Sequence, residues 1–414
     1  MKQISTIIIL SLLFTACAPV PVKPLSTHPF VADDEPEEAN MVLPDIELTD
    51  ELLFQFLVAE VASQRGEVDI AVNGSLELAK KTRDPRLAMR ASQLALQAGQ
   101  MDSAIEALGI WREVDPKSPI ALRMYASALL RSGKLEMARQ ELERVLKSDQ
   151  ANAGHIFFQI YQMLAPYPDK EAAIKLVRDL AQPFSAIAES HWAVAQLAQS
   201  SGDGELALEE AGTARKLRPE WDAAVSLEAF LLRKNNPQRG LDLLRDYLAE
   251  YPEANEIRLQ RARALLEQKQ YGQAREEFQR LADQNPDNPE TVYAIALISL
   301  QMKDFRGAED YLKQSLSKGK KDQNTVHYYL GQLDEAKHSP DEAMDNYGKV
   351  QSGEYLFVAQ MRIAMLLNTA GKLDQAVQQL HRIQTGESKQ QAQLISVEAQ
   401  FLREAGRLVD AYRV

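Results

Sequence analysis

The sequence predicts an all-α protein, a solenoid of about eleven helix-turn-helix units with the last one truncated. Three observations predict it. A small residue returns every 33 to 35 positions, at Ala71, Ala104, Ala138, Ala172, Ala207, Gly240, Ala274, Ala308, Ala343, Ala376 and Ala411. Twelve residues before each lies a second, mostly small one: Ala59, Ser92, Ala126, Ala195, Ala262, Ala296, Gly331, Ala364 and Ala399, with Ile160 and Glu228 the exceptions. Proline or Asp-Pro follows several second helices, at Asp84-Pro85, Asp115-Pro116, Pro219, Pro252 and Pro286, where a missing N–H and a fixed φ stop a helix.

Residues 257–289 display the unit most clearly. Ala262 is small where two helices must approach, and Leu265 lies one turn on. A turn is expected at residues 269–272. Ala274, Phe278 and Leu281 then recur at i, i+4 and i+7, one face of a second helix. Small residue, turn, alanine, aromatic and proline over 34 residues resemble a tetratricopeptide repeat, which implies a right-handed superhelical solenoid. Each unit of such an array buries its apolar face only against its neighbours, so length adds binding surface rather than a larger core.

In chain order, Thr49 or Asp50 caps the first helix and Glu51 lies in its first turn. The second and third units are regular, with Gly99 and Gly133 at their turns. In the fourth, Ala165-Pro166-Tyr167-Pro168 replaces the glycine turn and Gln182-Pro183 forms the exit, so a change of pitch is expected there. Later units regain the pattern, with Gly202 and Gly371 as turns and a proline variant at Ser339-Pro340. The last unit has its turn at Gly406 and its alanine at Ala411, and no polar cap follows, which suggests a piece of a longer protein.

The N-terminus reads as targeting rather than fold. Residues 1–16 form a signal peptide whose apolar run, residues 7–14, is too short to span a membrane. Phe14-Thr15-Ala16-Cys17 resembles the lipobox of bacterial lipoproteins, with Phe14 where leucine is usual. That resemblance implies acylation of Cys17 and, with Ala18 behind it, an outer-membrane destination. Several acyl chains anchor far more firmly than one. Cys17 is the single cysteine, so no disulfide forms within the chain and no thiolate metal site is available. Residues 17–44 hold six prolines and the acidic run Asp33-Asp34-Glu35-Pro36-Glu37-Glu38, the composition of a flexible tether. The solenoid is then expected over 45–414.

Catalytic chemistry is sought and not found. A net charge of −12 argues against a nucleic-acid groove, and the KGKK run at residues 318–321 reads as a solvated loop. The histidines His28, His155, His191, His327, His338 and His381 form no zinc-type pair, so neither metal nor cofactor is expected. Ser315-Leu316-Ser317-Lys318 spells Ser-x-x-Lys, but its lysine falls at a loop end. Glu209-Glu210 and Glu276-Glu277 are adjacent, so each pair points to different parts of a helix and reads as a solvated face.

The surface left to work is the groove lined by the first helices. One register row, three residues before the small position, holds Phe56, Met89, Arg123, Phe157, Trp192, Val225, Leu259, Tyr293, Tyr328 and Met361. Neighbouring positions add Gln93, Tyr161, Gln196, Arg263 and Gln332. Aromatic, Met and Arg side chains are enriched at protein interfaces, so the row suits a protein ligand. A one-residue error in register would instead make it core. Trp192, Tyr293 and Tyr328 carry polar atoms that need a partner, which favours binding.

A lipobox, an acidic Pro-rich tether and then LTDELLFQFLVAEVASQRGEVDIAV…LAKKTRDPRLAMRAS, over residues 48–99, resemble one family of Gram-negative outer-membrane lipoproteins. These are tetratricopeptide adaptors that bind a periplasmic carboxyl-terminal processing protease and bring it peptidoglycan cross-link hydrolases. The resemblance implies a non-catalytic, lipid-anchored adaptor on the periplasmic face of the outer membrane, and it carries over one residue, the lipidated Cys17. The alternative is an assembly scaffold for an envelope machine such as a pilus, a secretion system or a polysaccharide exporter.

Overall fold

The computed structural model describes residues 43–116 and 118–414. The signal peptide, Cys17 and all but the end of the tether therefore lie outside the described residues. Among the described residues there are 22 α-helices and no strand, so the all-α repeat architecture holds. The chain divides into two compact units, one ending at Gly202 and one spanning Asp203–Val414.

The first unit is a stack of helical hairpins: α1 (Asp50–Arg65) with α2 (Val68–Thr82), α3 (Pro85–Gln97) with α4 (Met101–Val114), α5 (Pro119–Arg131) with α6 (Leu135–Ser148), and α7 (Ala153–Leu164) with α8 (Lys170–Ala181), followed by α9 (Ala188–Ser201). Local chemistry sets the starts. Thr49 accepts a hydrogen bond from the Leu52 amide at 3.2 Å and Asp84 from the Arg86 amide at 2.8 Å, each satisfying a donor that the first helical turn leaves orphaned. Pro85 and Pro119 sit at the first helical position, where the absent N–H is not missed.

The second unit begins with α10 (Gly204–Leu217) and continues as α11 (Asp222–Asn235) with α12 (Pro237–Glu250), α13 (Asn255–Glu267) with α14 (Tyr271–Gln284), α15 (Pro289–Gln301) with α16 (Phe305–Ser317), α17 (Gln323–Ala336) with α18 (Pro340–Gly348), α19 (Leu356–Thr369) with α20 (Leu373–Arg382), and α21 (Ser388–Glu404) with α22 (Leu408–Ala411). Its core is segmental. Ala262, Leu265, Ala274, Phe278 and Ile295 form one cluster, and Ala296, Ala308, Leu312, Val326 and Leu330 form the next. This is the nearest-neighbour burial expected of a repeat array.

The periodic small residue is the fourth residue of each second helix, where it lets the paired helix approach. Ala71, Ala104, Ala138, Ala207, Ala274, Ala308, Ala343 and Ala376 are all buried there. In α8 the fourth residue is Ala173, fully buried, and Ala172 is only partly covered. The sequence register is thus one residue early in the fourth hairpin, because residues 165–169 make a five-residue turn in place of the usual three. In α12 the fourth residue is Gly240, reached through a turn of the single residue Asn236. A Cβ on Gly240 would lie 2.6 Å from the Ala229 carbonyl oxygen, so alanine does not fit.

Two further expectations change. The turn between α13 and α14 spans residues 268–270, and Gly272 is already helical. The left-handed residue of that turn is Lys269, at φ 56°, where the corresponding turns of other hairpins use Gly99 or Gly133. Residues 318–321 are also not a simply solvated loop. Lys320 is buried, its ammonium 2.6 Å from Glu290 and 4.7 Å from the Tyr293 ring centre.

Candidate functional site

The row proposed as a groove lining divides. Phe157, Trp192, Val225, Tyr328 and Met361 are buried and belong to the packing. Met89, Arg123, Leu259 and Tyr293 are half-buried, and Phe56 is exposed. The row one residue further along is exposed at Leu57 and Phe158, half-buried at Arg90 and Met124 and, in the second unit, at Ser226, Gln260, Ala294, Tyr329 and Arg362, and fully buried at Ala193 of α9. Of the neighbouring positions, Gln93 is exposed, and Tyr161, Gln196, Arg263 and Gln332 are half-buried and reach the surface.

Ion pairs interrupt this row at Arg90 in the first unit and at Arg362 in the second. Arg90 grips Glu60 of the preceding first helix through two hydrogen bonds of 3.0 Å, and Arg362 grips Glu335 in the same two-pronged way. Between Ser226 and Gln260 the link is an amide, with Gln260 donating to the Ser226 carbonyl at 3.0 Å. Such contacts fix the spacing of adjacent first helices and therefore of whatever the row presents.

In the first unit, Phe158 and Tyr161 of α7 stand on Trp192 of α9. The Phe158 ring stacks on the indole at 5.4 Å and 22°, and the Tyr161 ring meets it edge-on at 5.1 Å and 75°. In the second unit the aromatic cluster is internal. Tyr328 stacks on Tyr355 at 4.3 Å and 18°, and its hydroxyl accepts a hydrogen bond from Gln332 at 2.9 Å. Tyr347 fills the space that Gly331 leaves open, since a Cβ there would lie 2.7 Å from the ring. Burial raises the pKa of Tyr293, Tyr328, Tyr329, Tyr347 and Tyr355 above the ordinary phenol value, so all stay neutral and packed.

Glu277, read as half of a solvated pair, is 2% exposed. Arg258 donates to it at 2.8 Å, Arg280 at 3.3 Å, and Arg261 completes the set. Arg258 and Arg261 of α13 thereby pin their helix to α14, which carries both Glu277 and Arg280. Among the described residues no group of three or more His, Cys, Asp or Glu converges in a way that could hold a metal ion.

The most conspicuous surface feature is α1, which the sequence reading passed over. Leu53, Phe54, Leu57, Val58 and Val61 form an exposed apolar stripe at i, i+1, i+4, i+5 and i+8, and Phe54 is 66% exposed. The opposite side of α1 packs through Ala59 and Ala62. A helix apolar on both sides is built to be covered on both. The signal was present in the LLFQFLV run, apolar but for Gln55. Acidic groups rim the stripe at Asp50, Glu51 and Glu60.

Comparison with known proteins agrees with this architecture. Family models described as tetratricopeptide repeat match residues 231–298 and 265–333 and, separately, residues 89–153. The chain is similar to the TPR repeat-containing protein PA4667 of Pseudomonas aeruginosa, 28% identical over 360 residues. That alignment takes in 86% of this chain and spans 60% of the relative's length. Among solved structures, Pseudomonas aeruginosa PilF matches at 19% identity and a TM-score of 0.34, over 50% of this chain and 95% of that one. PilW, described as a type IV pilus biogenesis factor, matches at 17% identity and 0.37, over 52% and 98%. Yeast Tom70 matches at 15% and 0.32, over 87% and 90%.

Proposed function

We propose that this chain is a non-catalytic, lipid-anchored adaptor of the Gram-negative periplasm, which binds a carboxyl-terminal processing protease and presents cell-wall hydrolases to it. Tetratricopeptide repeats of the kind present here bind proteins, and the finer assignment rests on one coincidence. The block that resembles the protease adaptors, residues 48–99, is the block whose first helix turns an apolar stripe to solvent. Covering five half-exposed side chains contributes about 1 kcal/mol each, enough to dock one amphipathic helix of a partner against α1. With the protease held there, a client lying along the first-helix row would sit at a high effective concentration beside the active site. A tether anchored at Cys17 would keep the assembly at the membrane.

The test is the degradation rate of a folded cell-wall hydrolase by a purified protease of this class, with and without the chain. The rate is expected to rise with the chain and to return to baseline with the Phe54→Asp, Leu57→Asp double variant. Both positions are exposed, so the repeats stay folded. No rise with the native chain would sink the protease assignment. Loss of an assembled envelope machine on deletion, again without any rise, would favour the assembly-scaffold reading. A rise that the double variant retains would keep the adaptor role and move its protease site away from α1.

A further inference from the structure

The adaptor reading leaves unused a cavity of about 230 Å³ among α12, α13 and α14. Leu241 of α12 and Leu265 of α13 are buried at its base, and Arg261 of α13 lines it with a side chain only 13% exposed. Gln270 and Gln273, where α14 begins, complete its edge. None of these residues belongs to the first-helix row. The space is smaller than the roughly 300–1,000 Å³ of sites for whole small molecules, and it suits one side chain of a partner. Its donors are largely unspent. Among the described residues, Arg261 donates from Nη1 to Glu277, its buried Nε has no hydrogen-bond partner, and its Nη2 is unpartnered and reached by solvent. A buried donor left unpaired costs free energy, and an ion or a water is the usual remedy. The side-chain amides of Gln270, half-buried, and Gln273, exposed, likewise have no partner among the described residues.

The charge beside the cavity is also unbalanced, because Arg258, Arg261 and Arg280 gather on Glu277 alone. Asp242, the carboxylate that lines the cavity, is already answered by Arg245 at 2.8 Å and by Gln238 at 3.0 Å. The net charge of −12 repels an anion from afar, but salt screens that field beyond about 8 Å, so the nearby guanidiniums decide. We propose that this cavity is a subsite for a glutamate or aspartate side chain of a protein partner. The carboxylate takes the open Nη2 of Arg261 and the amides of Gln270 and Gln273, and its charge offsets the surplus of guanidiniums around Glu277. A neutral glutamine of the same shape turns an NH2 group toward donors and is disfavoured. The proposal rests on the reading that the chain binds proteins, and it adds the chemistry by which one partner residue is chosen.

The test uses the whole chain with isotope-labelled arginine and two small probes, N-acetyl-glutamate amide and its neutral isostere N-acetyl-glutamine amide. The Nε–H resonance of Arg261, assigned from its loss in Arg261→Lys, is followed by NMR. The glutamate probe is expected to shift it saturably and to bind roughly three- to tenfold more tightly than the glutamine probe. Gln273→Glu brings a carboxylate to the edge of the cavity at an exposed position, so the repeats stay folded, and it is expected to abolish that preference. Gln273→Lys is expected to increase it. Equal binding of the two probes, an unsaturable shift at Arg261, or an unchanged preference in Gln273→Glu would overturn the proposal. No protease or hydrolase enters this measurement, so its failure leaves the stimulation assay and the α1 variants to be judged separately.

Discussion

Glu277→Gln is the most informative single change in the second unit. The carboxylate is almost wholly buried and accepts from Arg258, Arg261 and Arg280, two of which are themselves largely removed from water. Glutamine keeps the shape but carries no charge, and its NH2 end turns donors toward donors. Two guanidiniums then stay buried with too little negative charge between them. Breaking a buried pair on one side costs about 3–5 kcal/mol, whereas an exposed pair is worth about 0–1 kcal/mol. Arg280 is largely hydrated, which places the expectation toward the lower end. Repeat arrays can open locally, so the assay is amide hydrogen exchange on α13 and α14 rather than a global melt. A loss of about 3 kcal/mol accelerates exchange there roughly a hundredfold, since each 1.4 kcal/mol is tenfold. The triple variant Glu277→Met, Arg258→Met, Arg261→Met should recover much of the loss, because well-packed apolar groups can replace a buried ionic set. A change of less than about 1 kcal/mol at α13–α14 would refute the account and return Glu277 to the solvated class.

Two smaller expectations concern the turn after α15 and the carboxylate of Glu309. Lys303 holds φ at 61° in the turn between α15 and α16, a conformation that disfavours a side chain by about 1–2 kcal/mol, so Lys303→Gly should stabilise that hairpin by about 0.5–1 kcal/mol after the entropy of glycine is deducted, read as slower exchange there; faster exchange would refute it. Hydrogen bonds from Lys313 and Lys337 hold the Glu309 carboxyl below its ordinary value of 4.5, so its contribution of about 0.5–1 kcal/mol is complete above pH 4.5 and fades as the pH falls through the lowered value. Acid titration of stability in Glu309→Gln should therefore lose part of the slope below pH 4.5, and an unchanged slope would refute the assignment.

The repeats were legible because burial at the helix crossing tolerates almost nothing larger than alanine, and that constraint recurs with the period of the chain. The slip from Ala173 to Ala172 was not legible, since two adjacent alanines satisfy the pattern equally and only the five-residue turn decides between them. The same degeneracy hid the open aromatic: Phe157 and Phe158 are neighbours, and a spacing rule places either on the outer row. Lys320 and Glu277 were misread for another reason. Charge argues for solvent by default, and the groups that shelter these two, Glu290 with Tyr293 and Arg258 with Arg261, lie 16 to 30 residues away in sequence. The α1 stripe was written in plain apolar letters, but a run that is apolar on every side reads first as core. Only its exposure distinguishes it from core.

The tyrosine cluster of the second unit also gives the molecule a built-in colour scale. Tyr293, Tyr328, Tyr329, Tyr347 and Tyr355 all keep their protons beyond the pH at which a free phenol ionises, while Trp111 and Trp192 belong to the first unit. Held at a pH just above the ordinary phenol value of about 10 and challenged with denaturant, the second unit would release these phenols as tyrosinate and absorb more strongly in the near ultraviolet as it opens. With Trp221, which lies in the second unit, changed to Phe, indole emission would follow the first unit alone. One cuvette and two wavelengths would then tell whether the two halves of the chain come apart together or in turn.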